Sequence, residues 1–198
     1  MTATRPYHHG NLREALLREG ERALESGGAQ RLSLREVARG VGVSHAAPRR
    51  HFADRQALLD ALAQSGFERL GTRMATAIAD AGPGADERFA SLARTYVRFA
   101  TEHPALTELM FAVKHQPDAT TELRAAADQA FTAPMALVTD GQAAGEIVPG
   151  DPERVAMVAW AAVSGLATMA NNGLLGDTPL DELIDEAAQR LIHGLRPR

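Results

Sequence analysis

Apolar residues recur at helical spacing along this chain, and runs of β-branched residues alternating with polar ones are missing. Leu12, Ala15, Leu16 and Ala23 mark a first helix over Asn11 to Glu25, with Gly27-Gly28 as its stop. Ser33-Leu34-Arg35-Glu36 then has the form of a capping box, in which the Ser33 hydroxyl accepts the Glu36 amide and the Glu36 carboxylate reaches back to the Ser33 amide. Leu32 and Val37 stand at the hydrophobic-staple positions around it. The helix opened there runs through Val37, Ala38 and Val41 and stops at Gly42. Ser44 is placed to cap another helix from His45 to about Phe52. Asp54 caps a long one through Leu58, Leu62, Phe67, Met74 and Ile78, ended by Gly82-Pro83-Gly84. Further helices are expected over 86–102, 104–114, 118–143, 152–175 and 179–195, with Pro134 kinking or splitting the span 118–143. The expected fold class is all-α, with about nine helices.

Residues 34–52 read as helix, tight turn, helix. Ala38 is small enough for a steep crossing, Gly42 tolerates a positive φ, and Val37, Val41 and Val43 are expected to face inward. This fits a DNA-binding helix-turn-helix, whose second helix enters the major groove; a plain αα-hairpin is the alternative. The stretch VSHAAPRRHF, residues 43–52, favours the first. Ser44, His45, Ala46 and Ala47 take the first turn, where small residues let the backbone approach base edges. Pro48 stiffens that turn. Arg49, Arg50 and His51 follow where the sugar-phosphate backbone passes, and Arg55 opens the next helix. Ser33 and Arg35 complete the candidate DNA contacts.

Charge sharpens this picture. The net charge of -4 conceals an asymmetry. Residues 1–55 carry ten arginines against six acids, a net of +4. The rest carries 11 basic against 19 acidic side chains, a net of -8. A basic end on an acidic body suits a polyanionic partner. With no cysteine, disulfides, thiolate nucleophiles and Cys-based metal sites are excluded. The first residues lack the apolar stretch of a signal peptide, so a cytoplasmic location is expected.

LSLREVARGVGVSHAAPRRHFADRQALLDALA closely resembles the DNA-binding signature of the TetR family of bacterial transcriptional regulators, and YHHGNLREALL resembles the entry to that family's first helix. The resemblance is strongest over residues 7–62. It implies an all-helical homodimer, with three N-terminal helices for double-stranded operator DNA and a variable C-terminal helical bundle for a small effector. The division expected here is a DNA-binding domain over 1–55, with an N-terminal arm over 1–10, and an effector-binding and dimerisation domain over 56–198. Two positions depart from the pattern: Arg49 stands where the family usually has tyrosine, and Arg55 where lysine is usual. Both keep a donor for phosphate.

YVRFATEHPALTELMF and WAAVSGLATM resemble, less closely, a TetR subgroup with a Trp-x-x-His-Gly-like signature; Ser164 stands where that subgroup often has histidine. Phe99, His103, Met110, Phe111, Phe131, Met135, Trp160 and Ser164 are candidates to line an effector pocket, with plain core as the alternative for each. Val155 to Ala170 is sixteen residues without a charge. That falls short of the roughly 20 strongly apolar residues of a membrane span, so no membrane contact is expected. An all-round apolar helix is buried on several sides. One side can face its own domain and another a partner subunit. Val155, Val158, Leu166, Leu183, Ile184, Ala187, Leu191 and Ile192 are the candidates for half of a four-helix dimer interface. Packing within the chain is the alternative.

His8-His9 has no accompanying set of metal ligands, and neither a phosphate loop nor a nucleophile elbow occurs. No catalytic residue, metal or cofactor is assigned. The expected function is a DNA-binding regulator, a repressor released from its operator by an unknown small-molecule effector. The alternatives are an activator or effector-independent regulator, or a helical carrier or enzyme with a vestigial helix-turn-helix. The last has no use for the basic segment around Arg49, Arg50 and Arg55.

Overall fold

The computed structural model describes residues 12–194; the arm 1–10, with its His8-His9 pair, lies outside the described residues. Every regular element among the described residues is helical. In order they are α1 (Leu12–Arg31), α2 (Leu34–Val41), a 3-10 turn (Pro48–Arg50), α3 (Arg55–Asp80), α4 (Ala85–Glu102), α5 (Pro104–Val113), α6 (Thr121–Ala130), α7 (Thr132–Ala143), α8 (Pro152–Asn171) and α9 (Leu180–Gly194).

Local signals explain most of the boundaries. Gly28 leaves helical geometry at φ 73 and ψ 165, so the regular part of α1 ends there and one more turn follows. Asp54 caps α3, its carboxylate accepting the Ala57 amide at 2.9 Å. The span 118–143 is split, but the break falls at Phe131 rather than at Pro134. Pro134 sits in the first turn of α7, where its missing N–H would have had no helical partner. Asp151 caps α8 at the Glu153 amide, 3.0 Å away. That helix stops at Asn171, short of the expected 175, and Gly173 turns the chain at φ 66.

The chain forms two compact units. One contains the residues through Gly66 together with Ala105–Arg124. Its core is built from Leu16, Leu24, Leu32, Val37, Leu58, Leu62, Leu106, Met110 and Leu123, all nearly inaccessible. A side chain on Gly20 would meet Leu62 at 3.3 Å, so α1 crosses α3 closely there. The Glu25 carboxylate joins elements far apart in sequence. It accepts the Ala105 amide at 3.1 Å and the Leu106 amide at 3.0 Å, satisfying the exposed donors at the start of α5.

The other unit contains Phe67–Pro104 and the residues from Ala125 onward. Phe67, Leu70, Met74, Val97, Phe99 and Ile184 lie at its centre. Arg94 binds Asp185, and Arg98 binds both oxygens of Asp181 at 3.0 Å. The partners appear in reverse order along the two helices, so α4 and α9 run antiparallel. Asn171 donates to the Ala100 carbonyl at 3.1 Å and ties α8 to α4. The outer side of α8 is apolar and uncovered: Met157 is 61% exposed, Val158 59%, Met169 43% and Trp160 37%. Among the described residues no helix is long and apolar enough to cross a membrane.

Candidate nucleic-acid interface

The helix-turn-helix begins at Ser33, whose hydroxyl accepts the Glu36 amide at 3.2 Å. This is one half of the expected capping box. Among the described residues the return bond from the Glu36 carboxylate is absent; its charge acts on Arg22 instead, adding to the pull of Glu19 that raises the Arg22 pKa. At the other end of α2, Gly42 takes the left-handed conformation, φ 78 and ψ 30. The Gly42 amide reaches the Arg39 carbonyl at 3.2 Å and the Val43 amide the Ala38 carbonyl at 3.0 Å, which closes the helix and redirects the chain. Val37 and Ala38 are fully buried, while Val41 and Val43 are half-buried.

The segment after the turn departs from expectation. In place of an α-helix from His45 to Phe52 there is a turn at 45–46 followed by a single 3-10 turn. Pro48 is the physical reason. An α-helix capped by Ser44 would need an N–H at position 48 to reach the Ser44 carbonyl, and proline has none. Tighter bonds take over: the Ala47 amide donates to Ser44 at 3.0 Å, Arg50 to Ala47 at 3.2 Å and His51 to Pro48 at 2.9 Å. Pro48 and Phe52 are buried and anchor the segment. Ser44, His45, Ala46, Arg49, Arg50 and His51 are exposed, and Ala47 is half-buried.

The positive charge of this surface is largely uncompensated. Arg35, Arg39, Arg49 and Arg50 are exposed and have no carboxylate partner among the described residues. Elsewhere on α1, Glu14 pairs with Arg18 and Glu19 with Arg22. The hydrogen bond from Arg22 holds the Glu19 carboxyl below its usual range, against the opposing effect of burial. Arg55 behaves differently from its sequence reading. Its Nε donates to the Leu32 carbonyl at 2.9 Å and a terminal nitrogen to the Ala29 carbonyl, so its fork is engaged at the end of α1. Ser33, too, has its hydroxyl committed to a cap. Free guanidinium groups beside an exposed, small-residue turn are suited to phosphates and base edges.

A family model described as "Bacterial regulatory proteins, tetR family" matches residues 16–62. A second, "Tetracyclin repressor-like, C-terminal domain", matches residues 89–195, more than half of the chain. The chain belongs to the TetR family. It is a DNA-binding transcriptional regulator with the TetR helix-turn-helix and a helical C-terminal domain. Among solved structures, a protein of unknown function from Rhodococcus sp. RHA1 is 47% identical, with a TM-score of 0.90, 98% of this chain and 100% of that chain being covered. A TetR family transcription regulator from Marinobacter aquaeolei VT8 is 21% identical, with a TM-score of 0.77 and coverage of 94% and 96%. The fatty acid degradation regulator FadR from Bacillus halodurans is 15% identical, with a TM-score of 0.73 and coverage of 98% and 100%. These last two share the fold. No curated protein matches the chain.

The effector-pocket candidates of this TetR-family protein divide between the two units. Met110 and Phe111 belong to the first. Met110 is fully buried, and the Lys114 ammonium lies 4.8 Å above the Phe111 ring. Phe99, His103, Phe131, Met135, Trp160 and Ser164 belong to the second. Phe99 is fully buried, with the His103 ring 5.1 Å away and the guanidinium groups of Arg69 and Arg73 at 5.7 and 5.4 Å. Phe131 meets the edge of Phe67 at 6.5 Å, and Met135 is half-buried. Ser164 Oγ donates to the Trp160 carbonyl at 2.7 Å and so turns toward its own helix. Sequence reasoning missed Tyr96, which is buried beside Trp160. Burial pushes its hydroxyl up to about 12, and a hydrogen bond with Trp160 pulls the other way. No local pattern relates residues that far apart.

The dimer candidates separate by exposure. Val158 is well exposed, and Val155, Leu166, Leu183, Ala187 and Leu191 are half-buried. Ile184 and Ile192 are buried in their own chain. Met157 and Met169 extend the apolar face beyond the residues singled out from sequence. Among the described residues no group of three metal-ligating side chains occurs.

Proposed function

We propose that this TetR-family regulator is a repressor whose hold on its operator is released by a small-molecule effector bound in its C-terminal part. The observation that supports the DNA-contact assignment is the recognition turn. Pro48 and Phe52 anchor it from within, while Arg49, Arg50 and His51 stand exposed beside Ser44, His45 and Ala46. Ser44, His45, Ala46 and Ala47 face base edges in this reading; Arg35, Arg49, Arg50 and His51 hold phosphates; Ser33 and Arg55 frame the motif. Residues 1–55 serve DNA and 56–198 the effector and a second subunit. The protein acts in the cytoplasm, without catalysis.

A homodimer would set two recognition turns about 34–36 Å apart, or a multiple of that, to enter successive major grooves. The exposed apolar side of α8 supports such pairing, since a contiguous apolar patch on a folded surface commonly marks an interface. An effector weakens the operator complex only as far as it favours one subunit arrangement over the other. Transcription in vitro from a promoter overlapping a duplex that the protein selects is the test. Added protein should lower transcript yield, and a compound that binds the protein should restore it. Stimulation by the protein would make it an activator. Ligands that bind, quench Trp160 fluorescence and leave DNA affinity unchanged would overturn effector release.

A further inference from the structure

We infer that Arg13 of α1 belongs to the DNA interface as a phosphate contact, and that Arg55 is a positioning residue holding the helix-turn-helix in shape. This rests on the DNA-contact reading of the recognition turn. Two neighbouring arginines on α1 are neutralised, Arg18 by Glu14 and Arg22 by Glu19. Arg13 is exposed and has no carboxylate partner among the described residues. Its guanidinium lies over the Phe52 ring, 5.7 Å from the centroid. Phe52 is only 3% exposed, so the platform is fixed, and its own amide closes the recognition turn on the Pro48 carbonyl at 2.9 Å. This contact places a cation without a carboxylate partner beside the segment that carries Arg49, Arg50 and His51. A guanidinium held over a ring spends none of its N–H donors on a carboxylate and keeps them for a phosphate oxygen.

Arg55 shows the opposite arrangement. Its donors at Leu32 and Ala29 clip the end of α1 to the start of α3 and so frame residues 33–54 between them. A lysine, with one compact ammonium on a flexible stem, cannot hold two carbonyls as a planar fork does.

The test uses the full chain and two fluorescein-labelled duplexes, one of scrambled sequence and one recovered from a random pool, titrated by anisotropy over a range of salt concentrations. Arg13→Ala should lower the salt exponent by about 0.9, the share of one phosphate contact, and Arg13→Lys should restore it. Arg55→Gln and Arg55→Lys should leave the exponent unchanged. They should weaken binding several-fold at every salt concentration and speed amide hydrogen exchange over residues 29–33. An unchanged exponent in Arg13→Ala reduces Arg13 to a cover for Phe52. A loss of about 0.9 in Arg55→Gln that Arg55→Lys restores, with exchange unaltered in both, overturns the positioning role. If the wild-type chain binds neither duplex, the DNA-contact reading fails with it. If the wild type binds and Arg13→Ala matches it, this inference fails alone.

Discussion

The recognition turn and the outer face of α8 both leave the protein's own core, and they do so with opposite chemistry. The turn buries its apolar residues, Pro48 and Phe52, and exposes arginines without acidic partners. The face of α8 exposes Met157, Val158, Trp160 and Met169 and offers no charge between Val155 and Ala170. Uncompensated cations are stable in water and wait for a polyanion; uncovered apolar side chains are stabilised by leaving water. The first surface is therefore matched to a charged polymer and its binding should respond to salt. The second is matched to another apolar surface and should hardly respond.

Breaking the charged surface should have the largest effect. Replacing Arg49 and Arg50 together by Ala should lower DNA affinity by at least about tenfold at low salt and reduce the salt exponent by about 1.8 in an anisotropy titration. An unchanged exponent would remove both residues from the phosphate contacts. Breaking the apolar surface comes next. Met157→Glu with Val158→Glu should shift the sedimenting species to half its mass and leave helical content intact, because both side chains are exposed in the single chain. A wild-type protein that already sediments as one chain would contradict the subunit contact.

Two substitutions probe what holds the charged surface in place. Gly42→Val puts a β-branched residue at φ 78 and should cost about 1–2 kcal/mol in urea unfolding, with weaker DNA binding beside it. Glu25→Ala strips the acceptor from the Ala105 and Leu106 amides and should cost about 1 kcal/mol. The smallest effect is that of acid. Arg94 and Arg73 hold the Asp185 and Glu102 carboxyls below their usual ranges. Folded, these groups bind fewer protons than they do unfolded. Their contribution is complete above the ordinary carboxylate pKa, about 4, and is lost as pH falls through the lower folded values. Both pairs are solvent-exposed, so the thermal midpoint should fall only slightly more in the wild type than in Asp185→Asn over that range.

Much of this was legible in the chain because it depends on neighbours in sequence. Ser33 before Glu36, Asp54 before α3, the glycine at 42 and the proline at 134 each act within a turn or two. The recognition segment misled for a reason of the same kind: Ser44 as a cap outweighed the missing N–H of Pro48, and the α-helix expected there became a turn and a 3-10 turn. What stayed hidden is long-range. The bonds from the α5 amides to Glu25, from Arg55 to the end of α1 and from Arg94 to Asp185 join residues that no local period relates. Arg55 looked free for phosphate because sequence shows a donor without showing its acceptors. The apolar face of α8 was legible as an uncharged run, but which of its side chains point outward depends on how the chain buries its other side.

Whether the basic turn reads DNA is decided by selection of bound duplexes from a random pool by the purified protein. A DNA-reading turn on a paired subunit should enrich a palindromic motif whose half-sites stand a fixed distance apart, about one helical turn or a multiple. Absence of any enriched motif, at low as well as moderate salt, would contradict it.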